Sequence, residues 1–142
     1  MQYLNKLLIA TLIASGLAAC GSTTTTLPAP RSAPCVSLLE PANGTTVASP
    51  FKVRFGIQGM AVAPAGDVVA GSGHHHLLIN LDAVPAGESL PFTVQHLHFG
   101  KGQTEAEVTL TPGRYRLTAQ FGNGVHQSYG PAMSQTITVT VK

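Results

Sequence analysis

The fold is decided by residues 110–121, LTPGRYRLTAQF. From Tyr115 to Phe121 every second residue is apolar or aromatic, and polar residues stand between them. A period of two predicts a β-strand that buries one face and exposes the other to water. The turn TPGR at 111–114 places a tyrosine at the start of this strand, as in the corners of immunoglobulin-like sandwiches.

The same period of two recurs along the rest of the chain, in the runs 51–57, 77–81, 105–110 and 137–141. Turn sequences that contain proline and glycine separate these runs, and no stretch has the pattern of an amphipathic helix. We therefore predict an all-β domain over residues 35–142, an antiparallel immunoglobulin-like β-sandwich of about seven strands. A signal peptide and a flexible tether are predicted to precede it.

The N-terminal segment is predicted to be an export signal. An apolar run follows Lys6 and ends at Ala19, and it is too short to cross a bilayer core of about 30 Å. Its last residues, LAAC at 17–20, have the pattern of a lipobox, in which the cysteine is alkylated with diacylglycerol. An ordinary secretory signal that contains a cysteine is the alternative.

We accordingly predict a signal peptide over residues 1–19, a lipidated Cys20, and a tether over residues 20–34 that is rich in threonine and proline. The residue after Cys20 is Gly21, which favours the outer membrane over the inner one. The predicted location is the bacterial cell envelope, with the protein facing the periplasm and the lipid as its membrane contact.

The charge and the cysteine content of the chain indicate little about its binding partners. The formal net charge is +2 and no long basic run is present, which argues against binding to nucleic acid. No protein partner is indicated. Cys35 can be an oxidisable thiol or a metal ligand, but a small buried residue at the start of a strand is the favoured interpretation.

The histidines are the most informative polar residues. Six of them accompany only eight Lys and Arg and six Asp and Glu residues. Because side chains alternate along a strand, His75 is predicted to share the core face with Leu77, as a buried histidine with hydrogen-bond partners. His74 and His76 then point to the opposite, wet face.

A second block, HLH at 96–98, lies in a predicted strand over residues 93–99. A hairpin centred on residues 85–88 would place His76 opposite His96 and His74 opposite His98. Imidazoles on adjacent rungs of one face suit copper, zinc and nickel, of which copper binds most tightly.

These positions predict a copper or zinc site. Its candidate ligands are His74, His76, His96 and His98, with His126 completing or capping the site from the loop 122–128. In the alternative interpretation these histidines are surface residues or hydrogen-bond partners of neighbouring loops. That alternative stays open because the connection between the two strands contains two prolines, at positions 85 and 91.

Two blocks, GHHHLLI at 73–79 and HLHFGKGQTE at 96–105, resemble a bacterial family named domain of unknown function 4399. The resemblance extends over about residues 51–142, and many members of that family are exported. It implies a fold but no established activity. Here the segment 121–130 contains a single histidine, whereas other members often have more.

We see no constellation of catalytic residues, and we predict that the protein is not an enzyme. The expected function is that of a lipid-anchored envelope protein that binds a transition metal through its paired histidines. The alternative is a structural or protein-interaction β-sandwich without a metal.

Overall fold

The structure of the chain is a computed structural model that describes residues 33–142. The predicted signal peptide, Cys20 and the tether as far as residue 32 lie outside the described residues. No helix in residues 33–142 has the length and hydropathy needed to span a membrane. The described residues form a short 3-10 helix, Pro131–Met133, and nine strands: β1 Cys35–Glu40, β2 Thr46–Val47, β3 Phe51–Gln58, β4 Ala61–Val62, β5 Ser72–Ile79, β6 His96–His98, β7 Glu105–Val108, β8 Gly113–Gly122 and β9 Ser134–Val141.

The strands form two sheets that pack face to face. The first sheet has the order β1-β3-β7, and the second has the order β2-β9-β8-β5-β4, with β6 also paired to β5. The longer strands pair antiparallel, while the two-residue strands β2 and β4 pair parallel. One apolar cluster fills the space between the sheets, with Val53 and Phe55 from the first and Leu77, Leu117 and Phe121 from the second. The predicted all-β sandwich is confirmed.

The corner before β8 has the predicted geometry. The Tyr115 hydroxyl donates a hydrogen bond to the Thr111 carbonyl oxygen at 3.0 Å, and it lies 2.9 Å from the Thr111 hydroxyl. This bond joins the tyrosine to backbone four residues earlier, as in the tyrosine corner of immunoglobulin-like sandwiches. It fixes the angle at which the chain enters β8, the longest strand of the second sheet.

The prediction that every strand has one wet face is wrong for β5, where all eight residues are buried. The outer face of the second sheet is covered by two segments, residues 80–95 and 123–130, which pair with each other. The Leu90 amide donates to the His126 carbonyl oxygen at 2.8 Å, and the Gly87 amide donates to the Ser128 carbonyl oxygen at 2.9 Å. These segments form a third layer, and its residue Leu90 is buried between this layer and β8.

The buried side chain of Gln120, on β8, fastens this third layer to the sheet. Its Oε1 accepts a hydrogen bond from the Val84 amide at 3.1 Å. Its Nε2 donates to the carbonyl oxygens of Gly130 and Met133 at 3.0 and 3.2 Å. One amide thus satisfies backbone groups in both covering segments, so a polar residue is stable there without access to water.

Two local expectations are wrong. The predicted strand over residues 93–99 is shortened to His96–His98, because Thr93 begins a turn in which its carbonyl oxygen accepts a hydrogen bond from the His96 amide at 3.1 Å. Cys35 is exposed rather than buried. It opens β1 at the edge of the first sheet, where its Sγ lies 3.6 Å from Gln58 Oε1.

Candidate functional site

The register between β5 and β6 differs from the predicted one by two residues. His76 lies opposite His98, and Leu78 lies opposite His96. The turn at Thr93 and the bond from the Ile79 amide to the Gln95 carbonyl oxygen (2.8 Å) accompany this pairing, so a symmetrical hairpin about residues 85–88 does not set it. His98 therefore lies beside the histidines of β5. His96 lies beside Leu78, two residues after His76 on β5.

Four imidazole rings form a histidine cluster on the outer face of the second sheet: His74, His76, His98 and His126. The Nε2 atoms of His74 and His76 are 3.0 Å apart, and those of His98 and His126 are 3.1 Å apart. The His74 ring centroid lies 4.9 Å from that of His98 and 5.0 Å from that of His126. One ligand nitrogen from each of His74, His76 and His98 lies within 4.8 Å of the other two, so this triad can hold a metal ion.

Two glycines make room for the rings. At Gly100 a Cβ atom would overlap Cε1 and Nε2 of His98, because the imidazole lies directly over the glycine Cα. Opposite His74 on β8, a Cβ at Gly122 would lie 2.7 Å from Leu90 Cδ1 and 3.3 Å from His76 Nε2. The absence of a side chain at both glycines therefore leaves the space that the cluster occupies.

His126 reaches the cluster from a strained backbone. Its φ of 65° lies in the left-handed region, which costs a residue with a Cβ about 1 kcal/mol or more. The preceding turn holds it there: its amide donates to the Asn123 carbonyl oxygen at 3.0 Å, and Asn123 Oδ1 accepts from the amides of Val125 and Gln127. This turn brings the His126 ring to His98.

Phe92 covers the outer side of the cluster. Its ring centroid lies 4.7 Å from that of His98 and 4.8 Å from that of His126, with its plane nearly perpendicular to His98. Phe92 is 63% exposed, so its ring contacts the two imidazoles and remains largely in contact with solvent. His74 and His76 beneath it are fully buried.

Burial keeps the two innermost rings of the cluster, His74 and His76, uncharged at neutral pH. Burial, and next the positive charge that His98 and His126 would carry, lower the pKa of His74 from 6.5 to about 4. Burial also lowers the pKa of His76, which falls further still, and that of His98. Neutral imidazoles keep a free lone pair for a metal ion, which suits the triad to metal binding at ordinary pH.

His75 points the other way, into the core between the sheets. Its ring stacks on Phe55 with centroids 4.8 Å apart and meets Phe121 edge-on at 5.0 Å. The predicted core position is confirmed, but the expected hydrogen bonds are not: neither ring nitrogen has a partner among residues 33–142. It packs as an aromatic residue that carries two unsatisfied polar atoms.

His96 lies outside the triad. Its Nδ1 is 3.2 Å from the Thr93 hydroxyl, in the turn that precedes β6. Of the five predicted ligands the structure thus brings together His74, His76, His98 and His126, while His96 lies opposite Leu78 and outside the triad. Sequence reasoning missed Gly100, Gly122 and Phe92; the glycine directly after the HLHF block was the one available signal for a close approach at position 100.

Gly100→Ala should disable the cluster without unfolding the domain. The glycine has no left-handed φ, and the atoms in the way belong to the His98 side chain, which can rotate aside. Any affinity of the triad for a metal ion should fall about 10-fold or more, as when the support of a ligand is lost. Gly113→Ala is the matched control, since a Cβ there meets only Tyr115 at 3.4 Å or more. Equal affinity of the two variants, measured by titration, would contradict this role for Gly100.

The stability of the metal-free protein should depend on pH through His75. Burial, followed by the charge of His74, lowers its folded pKa from 6.5 to about 4. Between these values the unfolded chain binds more protons than the folded one, so stability is lost as pH falls below 6.5.

Each such histidine contributes up to about 1.4 kcal/mol per pH unit over this window. His75→Phe replaces the ring by an apolar one and should make the slope of unfolding free energy against pH shallower by up to that amount. Urea denaturation from pH 7 to pH 4.5 in the presence of a chelator measures the slope. Because only slopes are compared, a constant packing penalty in the variant does not matter; parallel curves would refute the assignment.

Comparison with known proteins adds a family. The family model described as domain of unknown function (DUF4399) matches residues 53–142. This range includes both covering segments and the strands β3 to β9, except the first two residues of β3. No curated protein and no solved structure matches the chain. The match bears out the resemblance found in the GHHHLLI and HLHFGKGQTE blocks, and the chain belongs to the DUF4399 family.

Proposed function

We propose that the protein is a metal-binding protein of the cell envelope, with His74, His76 and His98 as ligands and His126 as the fourth. The observation that carries this proposal is the convergence of the triad, with one ligand nitrogen of each ring within 4.8 Å of the others. Copper and zinc are the ions that imidazole ligands of this kind suit best.

The distances within the cluster are consistent with a shared ion. Two nitrogens that bind one tetrahedral zinc ion at about 2.0–2.1 Å are roughly 3.3 Å apart. The two Nε2 pairs, at 3.0 and 3.1 Å, are close to that separation. Bringing four rings together also has a cost in the strained backbone at His126, which an ion would help to offset.

The structural alternative has its own support. A separation of 3.0 Å is also that of an N–H···N hydrogen bond, so each pair can be a simple bond between a donating and an accepting imidazole. In addition, Nδ1 of His74 and of His76 has no partner among the described residues, whereas metal-bound histidines usually donate this group to a carbonyl or carboxylate. Under this alternative the cluster only fastens the covering segments.

Metal titration of His98→Ala and His96→Ala separates the two. The full chain, purified without a polyhistidine tag in mild detergent, is titrated with copper and with zinc. Removal of His98 should weaken binding about 10- to 100-fold, because a ligand is lost. The matched variant His96→Ala removes the other imidazole of β6, two residues before His98. Because His96 is outside the triad, this variant should leave the affinity nearly unchanged. Equal effects of both variants, or no binding tighter than micromolar by the wild type, would favour the structural role.

We further propose that the protein is held at the membrane by lipid on Cys20 and acts by binding rather than catalysis. The LAAC sequence at 17–20 and the apolar run before it support the anchor. Cys20→Ser should release the protein from the membrane fraction or leave it with an uncleaved signal. Mass spectrometry of the mature N-terminus checks the modification; an unmodified Cys20 in membrane-bound protein would rule out this anchor.

A further inference from the structure

The histidine cluster offers a metal ion no anionic ligand. Its ligands are neutral imidazoles, and no carboxylate belongs to the triad's group of candidate ligand atoms in residues 33–142. The ion pairs of the described chain join acids to lysine or arginine, as Lys52–Glu105, Arg54–Glu40 and Arg116–Asp82. An ion bound here would keep its full positive charge.

Burial makes this charge expensive. His74 and His76 are fully buried, and the His98 ring that packs against both of them is itself in contact with Phe92. The cost of moving an ion out of water rises with the square of its charge, so a divalent ion pays about four times as much as a monovalent ion of the same size. A buried site without a compensating anion therefore favours monovalent over divalent ions, whatever its coordination geometry.

The Nδ1 atoms of His74 and His76 also indicate that a divalent ion is disfavoured. In zinc sites the second ring nitrogen usually donates to a carboxylate or carbonyl group, which draws positive charge away from the metal. Nδ1 of His74 and of His76 has no such partner among the described residues. The cluster thus lacks both direct and indirect compensation for a second unit of charge.

We propose that the histidine cluster takes copper as the monovalent cuprous ion, in preference to Zn²⁺ and Cu²⁺. This inference rests on the proposed function, that the cluster binds a transition metal. Cuprous copper carries one charge, binds imidazole nitrogen, and accepts low coordination numbers without a fixed geometry. The ring of Phe92 further limits contact between the ion and water.

Competition experiments on the full chain in detergent test the preference. Under anaerobic conditions with ascorbate as reductant, the protein competes with bicinchoninate for Cu⁺; Zn²⁺ affinity is measured separately against a zinc dye. We expect Cu⁺ to bind at least about 100-fold more tightly than Zn²⁺, a difference of about 2.7 kcal/mol. Equal or tighter binding of Zn²⁺ would overturn the inference and leave the proposed function standing, whereas no binding of either ion would overturn both.

The charge argument itself is tested at Phe92, whose exposed side chain can be replaced with little risk to folding. Phe92→Glu places a carboxylate beside His98 and His126, and Phe92→Gln is its neutral match. Relative to Gln, Glu should strengthen Zn²⁺ binding about 10-fold or more and Cu⁺ binding by a clearly smaller factor, because a divalent ion gains twice as much from the added charge. Identical Zn²⁺ affinities in the two variants would overturn the charge explanation.

Discussion

The burial of β5 on both faces is the constraint on which the rest of the structure depends. One face of this strand supplies Leu77 and His75 to the core between the sheets, and the other carries His74 and His76 beneath a third layer. A strand in the middle of a two-layer sandwich would expose its second face to water. Here the segments 80–95 and 123–130 cover that face, so the polar side chains on it must be satisfied by one another or by a ligand.

The third layer also determines which histidines meet. It is fastened to the sheet through Gln120, and it delivers His126 from one covering segment and Phe92 from the other. The cluster is therefore assembled from β5, β6 and a loop, with long stretches of chain between them. Burial holds the imidazoles of His74 and His76 neutral, which keeps their lone pairs free; the same burial, without a nearby anion, makes excess charge costly. The proposed binding and the proposed selectivity thus have one physical origin.

Much of the fold can be predicted from the sequence, because alternation of apolar residues reports which strands face the core. The run from Tyr115 to Phe121 and its corner at Thr111 are found as predicted. Alternation cannot report a covering layer, since histidines on a wet face and histidines under a loop have the same pattern. For this reason the burial of His74 could not be predicted.

The candidate site could be predicted in composition but not in pairing. Parity along each strand groups His74 with His76 correctly, since parity depends only on the chain itself. The position of β6 against β5 depends on a connection of sixteen residues, Asn80–Gln95, whose turn at Thr93 follows no simple hairpin rule. A shift of two residues exchanges His96 for His98 without changing which face they occupy, so no hydrophobic pattern could have excluded it.

The two-sided burial of β5 has an evolutionary consequence. A strand with a solvent-exposed face has positions at which substitutions are nearly neutral, and sequence drifts there freely. In β5 every residue is buried, and at Gly73 even a Cβ atom would collide with the backbone of β8. Drift is therefore restricted along its whole length. This geometry leaves the short block GHHHLLI, residues 73–79, little room for neutral substitution.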